Sequence, residues 1–268
     1  MDLQIRLENH WLACMAAAGG GARVTRMAGG LVVVNATAPG YTFNFTTLRG
    51  VQPDRLATAL DHGGMLLAEG GRPSAVFLSP AAGDLPGLTA GLAELGWRRL
   101  SRQSVLIRDL SVPLSQEMPP NVLVESVTAR LLPQWRKTLV DAYEVEPLAG
   151  RSLSKAWSTI LSAPGDGASA RGYLAWVDGV PAGTGLLWSQ GGVAGLYCGA
   201  VLPARRRSGI HRALLLRRLS DAWQARCALA TLQTEAGGPV EQFCVGRLAF
   251  SVSHCRDLWV PGETTFIR

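Results

Sequence analysis

The stretch GLYCGAVLPARRRSGIHRALLLRRL, residues 195–219, decides how the rest of the chain is read. An apolar strand-like run ends at Val201, passes through Pro203 into a basic turn containing Gly209, and enters an apolar helical run with nothing in between. The first amides of a helix lack partners within it and sit at the positive end of its macrodipole, so such a junction is built to hold an anion such as a pyrophosphate. Gly209 lets the backbone approach the anion without a Cβ in the way. Arg205, Arg206, Arg207 and Arg212 add charge-assisted hydrogen bonds, and no acidic residue occurs between Pro203 and Ser220. Three cationic side chains in a row at a helix start oppose the macrodipole, an unfavourable arrangement for mere solvated surface.

Working outward, the sequence predicts a strand at 122–127, helices at 129–143 and 152–161, and three strands at 173–177, 183–188 and 193–201, with DG and GG turns that favour antiparallel hairpins. After the central helix (209–226) come a strand at 229–234, a helix at 239–248, and strands around 250–260 and 264–267. Upstream, SVPLSQEMPPN (111–121) is rich in proline and polar residues and lies between two strand-like runs, which marks a linker.

The first half carries an echo of this order. FNFTTLRGVQP (43–53) ends in Val-x-Pro, as does LYCGAVLP (196–203); each precedes a helix, a short strand (74–78; 229–234), a second helix and a Leu-Gly-Trp or Leu-Ala-Phe tripeptide at 95–97 or 248–250. The expected organisation is two copies of one fold: residues 1–112 without a cofactor loop, a linker at 113–121, and residues 122–268 with the loop. In the first copy Val51-Gln52-Pro53 runs straight into Asp54 and Arg55, so it is not expected to bind the cofactor.

Composition narrows the class. With 47% hydrophobic and 17% charged residues, the chain has the material for a packed core. Its apolar runs fall short of the ~20 residues that a membrane span needs. Acidic residues near the start and the lack of an apolar leader core predict a cytoplasmic location. Five scattered cysteines form no C-x-x-C pair, so neither a disulfide framework nor a metal site is expected. His254 and Cys255 are neighbours on a predicted strand and point to opposite faces, which excludes them as a nucleophile pair. The net charge of +6 comes from arginines spread along the chain, with Lys137 and Lys155 the only lysines, and nucleic acid is not the expected partner.

The junction resembles motif A of the GNAT superfamily of N-acetyltransferases, Q/R-x-x-G-x-G/A, matched by Arg206, Arg207, Ser208, Gly209, Ile210 and His211. Ala200 to Pro203 before it and Ala213 to Leu215 after it also fit, and the element order over 122–268 is similar to that of the family. The resemblance implies a mixed α/β, acyl-CoA N-acyltransferase fold with a central, mostly antiparallel sheet flanked by helices. It also implies acetyl-CoA, or another acyl-CoA, as co-substrate without a metal, and an amine-bearing acceptor. In the family the fourth and fifth strands splay apart and the pantetheine arm pairs with the fourth, which here ends at Gly199, Ala200 and Val201. The loop through Arg212 would hold the pyrophosphate, and a backbone amide at the strand bulge would stabilise the oxyanion.

The sequence departs from the family at several positions. His211 replaces a glycine or alanine, and its ring either crowds or contacts a phosphate or points away. Ala236 to Gly238 stand where an asparagine is common, Val245 where a tyrosine protonates the leaving thiolate, and Gly195 where some members carry a glutamate base. The catalytic residues therefore stay unassigned, with Tyr143, Glu144, Tyr197 and Glu235 the nearest polar candidates. Tyr143, Glu144 and Glu146 would favour a cationic acceptor. A non-catalytic acyl-CoA-binding or interaction module, and a loop serving a different nucleotide, remain as rival readings.

Overall fold

A computed structural model of the chain describes residues 2–20, 22–112 and 116–262. Its first elements are α1 (Leu3–Ala17), β1 (Ala22–Met27), β2 (Gly30–Asn35), β3 (Phe45–Leu48), α2 (Leu56–Glu69), β4 (Val76–Leu78), α3 (Leu85–Glu94) and β5 (Trp97–Asp109). There follow β6 (Leu123–Ser126), α4 (Leu132–Tyr143), α5 (Pro147–Ser162), β7 (Ala168–Val177), β8 (Val180–Gln190) and β9 (Val193–Val201). The chain continues with α6 (Ile210–Gln224), β10 (Leu229–Glu235), α7 (Pro239–Leu248) and β11 (Ser251–Pro261). The strand and helix expected at 193–201 and 239–248 match β9 and α7, whereas α5 starts before the expected 152 because Pro147 sets the helical φ in the first turn. The strand expected at 264–267 lies outside the described residues.

The chain divides into two compact units. The first comprises residues 1–16, 21–106 and 233–268, so α7 and β11, the last described elements, group with the N-terminal segments. Its strands run in the order β1-β2-β3-β4-β11-β5. β3 and β4 are parallel, with α2 as the crossover between them, while β4 and β11 are antiparallel through the Leu78–Asp257 and Val76–Trp259 pairs. Its core gathers Leu48, Leu56, Leu60, Val76, Leu88 and Trp259. Trp11 of α1 stacks on Phe45 at 4.5 Å, and the Arg256 guanidinium lies 3.8 Å from the Trp11 ring centre.

The second unit comprises residues 17–20 and 107–232. Its strands run β10-β9-β8-β7-β6, with β9 and β10 parallel and the other neighbours antiparallel. Both units thus contain a parallel strand–helix–strand crossover, with antiparallel pairs β1–β2, β2–β3 and β4–β11 in the first and β6–β7, β7–β8 and β8–β9 in the second. α4 and α6 pack against β8 and β9. α6 buries Ile210, Leu214, Leu215 and Leu219, each worth about 1.5–3 kcal/mol of apolar burial, which fixes the helix through packing rather than intrinsic propensity. Trp135 of α4 is fully buried and its indole N–H donates to the Gly185 carbonyl of β8 at 3.3 Å. Among the described residues, no helix is long and apolar enough to cross a membrane.

Candidate functional site

β9 and β10 stay paired only from Val193–Leu229 to Gly195–Thr231; beyond that, β9 continues to Val201 without a β10 partner. On its other side, the ladder to β8 shifts register: Thr184 faces Ala200 and Leu186 faces Tyr197, so Cys198 and Gly199 together oppose Gly185. This is a β-bulge. Cys198 takes a left-handed conformation with φ of 52°, which costs a non-glycine residue about 1–2 kcal/mol, and Gly199 is an exposed position in an otherwise buried strand end.

Side chains replace the missing ladder bonds. The Thr184 hydroxyl donates to the Cys198 carbonyl at 3.0 Å. Arg218 of α6, 1% exposed, donates from Nη1 to the Tyr197 carbonyl at 2.9 Å and the Leu186 carbonyl at 3.4 Å, and from Nε to the Leu214 carbonyl at 2.9 Å. Gly185 and Gly199 leave room for it: a Cβ on Gly185 would lie 3.0 Å from Arg218 Nε, and one on Gly199 3.2 Å from Nη2.

From Val201 the chain enters the basic turn. Arg207 and Gly209 are both left-handed (φ 65° and 81°), curling the loop so that Gly209 becomes the N-cap of α6 without a side-chain cap. Ser208 does not serve as one, since its hydroxyl donates to the Arg205 carbonyl. The start of α6 therefore has no side-chain cap for its first amides, which have no partner within the helix. Ile210 is buried as the first helical residue. His211 turns inward, its Nε2 lying 3.4 Å from where a Cβ on Gly199 would stand. Burial, and secondarily the Arg218 charge, lower its imidazole to about 4, so at neutral pH it is uncharged.

The loop arginines reach neighbouring elements. Arg205 pairs with Asp178 at 3.5 Å. Arg206 pairs with Glu144 at 2.7 Å and also donates to the carbonyls of Ala142 and Val201. Arg212 donates to the Glu117 carbonyl at 3.1 Å, and Pro119 lies 3.4 Å from the position of a Gly209 Cβ, so residues 117–119 run beside the helix start. Between α4 and α5 lies a groove of about 810 Å³ lined by Arg136, Lys137, Asp141, Glu144, Arg151 and Lys155, the two lysines of the chain among them.

The polar candidates fare differently. Tyr197 is a packed aromatic, buried and stacked on Trp157 at 5.8 Å. Glu235 is exposed at the end of β10. Tyr143 closes α4 with its ring partly exposed; burial of the hydroxyl, then the Cys198 thiol, raise it well above the ordinary phenol range. His254 and Cys255 diverge as expected, the imidazole toward Ser253 and the thiol toward Ser104. Sequence reasoning missed Arg218, Thr184 and Gly185. The isolated glycines in GTGLLW (183–188) were the available signal, since glycine inside a strand pattern marks a bulge or a close approach.

The overall fold is shared with solved structures. One described as a GCN5-related N-acetyltransferase from Kribbella flavida superposes with a TM-score of 0.75 over 98% of this chain and 97% of that one, at 20% identity. The chain has the fold of the GNAT superfamily. A GCN5-related N-acetyltransferase from Sphaerobacter thermophilus gives 0.63 at 16% identity, covering 86% and 79% of the two chains. A tandem GNAT protein from the clavulanic acid biosynthesis pathway gives 0.61 at 14% identity, covering 96% and 88%. No protein-family model matches the GNAT-fold chain, and no curated protein sequence does.

Proposed function

We propose that the second unit binds acyl-CoA, acetyl-CoA in the first instance, and transfers its acyl group to a primary amine of a small molecule or peptide in the cytoplasm. The observation that carries this reading is that β9 runs on from the bulge at Gly199 to Val201 without a β10 partner and that the turn beyond it leads to an α6 start at Gly209 with no side-chain cap. Pantetheine would pair with β9 at Gly199, Ala200 and Val201. The pyrophosphate would take the amides of residues 207–212 with the Arg206 and Arg207 side chains, and the amide at the bulge would face the thioester carbonyl. Binding and orientation of the amine would supply most of the rate, since effective molarities alone contribute about 7–11 kcal/mol in well-oriented systems. The chain is read as a duplicated fold in which the first copy, lacking a glycine-arginine loop before α2, does not bind the cofactor.

Calorimetric titration with acetyl-CoA and CoA tests the reading, beside a variant carrying Gly209→Asp and Arg206→Ala. Binding that the variant abolishes supports it; a wild type that binds neither ligand sinks it. The second reading, a non-catalytic acyl-CoA-binding module, is favoured by Gly195, Val245 and the Ala236 to Gly238 segment, which lack the family's usual proton-transfer and polar groups. Absence of turnover across an amine panel by a protein that binds acetyl-CoA would select it.

A further inference from the structure

A fully buried arginine needs a reason. Arg218 sits in the middle of the apolar run LLLRRL on α6, at a position where helical spacing calls for an aliphatic side chain, and burying a charge is costly unless its donors are satisfied. Its Nε donates to the Leu214 carbonyl on its own helix, and its Nη1 to the carbonyls of Leu186 on β8 and Tyr197 on β9. Leu186 and Tyr197 face each other across the ladder immediately beside the bulge. Gly185, directly opposite the bulge, and Gly199, within it, are positions where a Cβ would press tightly on the guanidinium, at 3.0 and 3.2 Å. The arginine and the two glycines therefore fit as one device around the irregularity in β9.

We propose that Arg218 is a positioning residue that holds the β9 bulge open, so that the main chain at Gly199 to Val201 is presented to the pantetheine arm of the acyl donor. The inference rests on the acyl-CoA reading of the site. Without the guanidinium the Leu186 and Tyr197 carbonyls lose their charge-assisted donor, and β8 and β9 can close toward a regular ladder that withdraws the groups pantetheine would pair with. The turn at Arg206 to Gly209 makes none of its described hydrogen bonds to Arg218, so the phosphate end of the site should survive the change. The Arg218 charge lowers the His211 imidazole in the same direction as burial and lowers the Cys198 thiol against burial, which is consistent with its closeness to the bulge.

The test separates the two ends of the ligand. Wild type, Arg218→Met, Arg218→Lys and Gly185→Ala proteins are titrated calorimetrically with acetyl-CoA and with 3′-phosphoadenosine 5′-diphosphate, the part of coenzyme A that lacks pantetheine. The expected result is a loss of at least tenfold in acetyl-CoA affinity for Arg218→Met, with nucleotide affinity within about twofold of wild type. Arg218→Lys, which restores one donor, should recover part of the loss. Gly185→Ala keeps the arginine but crowds it off the bulge, and should show the same selective loss even if Arg218→Met fails to fold. Unchanged acetyl-CoA affinity in the folded variants, or equal loss of both ligands, overturns the proposal. A wild type that binds neither ligand refutes the acyl-CoA reading itself, which is a different outcome from either.

Discussion

The Arg206 guanidinium donates to the Glu144 carboxylate at 2.7 Å, tying the basic turn before α6 to the corner where α4 ends. Glu144 thus occupies the guanidinium that a pyrophosphate would need. Both side chains are more than half exposed, so the pair is worth only about 0.2–1 kcal/mol. Glu144→Gln should accordingly raise CoA affinity by about two- to fivefold, measured calorimetrically at low salt, with the gain shrinking as salt increases. Weaker binding by the variant would mean that Glu144 orients Arg206 instead of competing for it.

Asp221 anchors the later turns of α6. Its carboxylate, 5% exposed, accepts from Arg171 at 2.8 Å, the Tyr173 hydroxyl at 2.7 Å and Arg217 at 3.1 Å. Arg217 also donates to the Val124 carbonyl of β6, so one carboxylate links α6 to two strands. Asp221→Asn keeps the shape but loses charge-assisted bonds, and a destabilisation of about 2–3 kcal/mol is expected in urea unfolding. A change below about 0.5 kcal/mol would show that the two half-exposed arginines find water as good a partner.

Acid sensitivity should follow His211. The folded imidazole is lowered to about 4 from an unfolded value of 6.5. Below pH 6.5 the unfolded chain takes up a proton that the folded chain refuses until about pH 4, so stability falls as the pH drops through that window, by up to about 1.4 kcal/mol per pH unit. His211→Gln should flatten the difference in unfolding free energy between about pH 7 and pH 5. The flattening should be partial, because burial lowers His254 to about 4 as well. An unchanged profile would place the acid sensitivity elsewhere.

Much of the second unit was legible because local signals agree there. The β9 run, the Pro203 break, Gly209 and the apolar face of α6 all point to one junction, and the strand and helix fall where periodicity puts them. The β1–β2 hairpin was not read as such: Leu31 to Val34 is a continuous apolar run whose length does not distinguish strand from helix. Arg218 was hidden for another reason. In an arginine-rich chain a second arginine after Arg217 carries no local mark, and its burial depends on a bulge formed by strands more than fifteen residues away. The pairing of β11 with β4 is non-local too, and no spacing within either strand encodes it.

At the alkaline end, the tyrosines should lag. Burial comes first in raising both Tyr143 and Tyr173, followed by the Cys198 thiol for Tyr143 and the hydrogen bond to Asp221 for Tyr173; burial raises Tyr41 as well. The folded chain therefore keeps phenolic protons that the unfolded chain releases near pH 10, and stability declines above that value. Phenolate absorbance of the native protein should develop at higher pH than that of the same protein in denaturant. Superimposable curves would contradict the burial of these hydroxyls.

Synthesis runs from the N-terminus, and β4 is complete long before β11, its antiparallel neighbour, has been made. That edge of β4 stays open while every element from α3 to α7 is translated, and an open edge invites pairing with the wrong partner. Its folding is thus timed by the arrival of β11. Losing β11 would injure the unit to which the N-terminal segments belong.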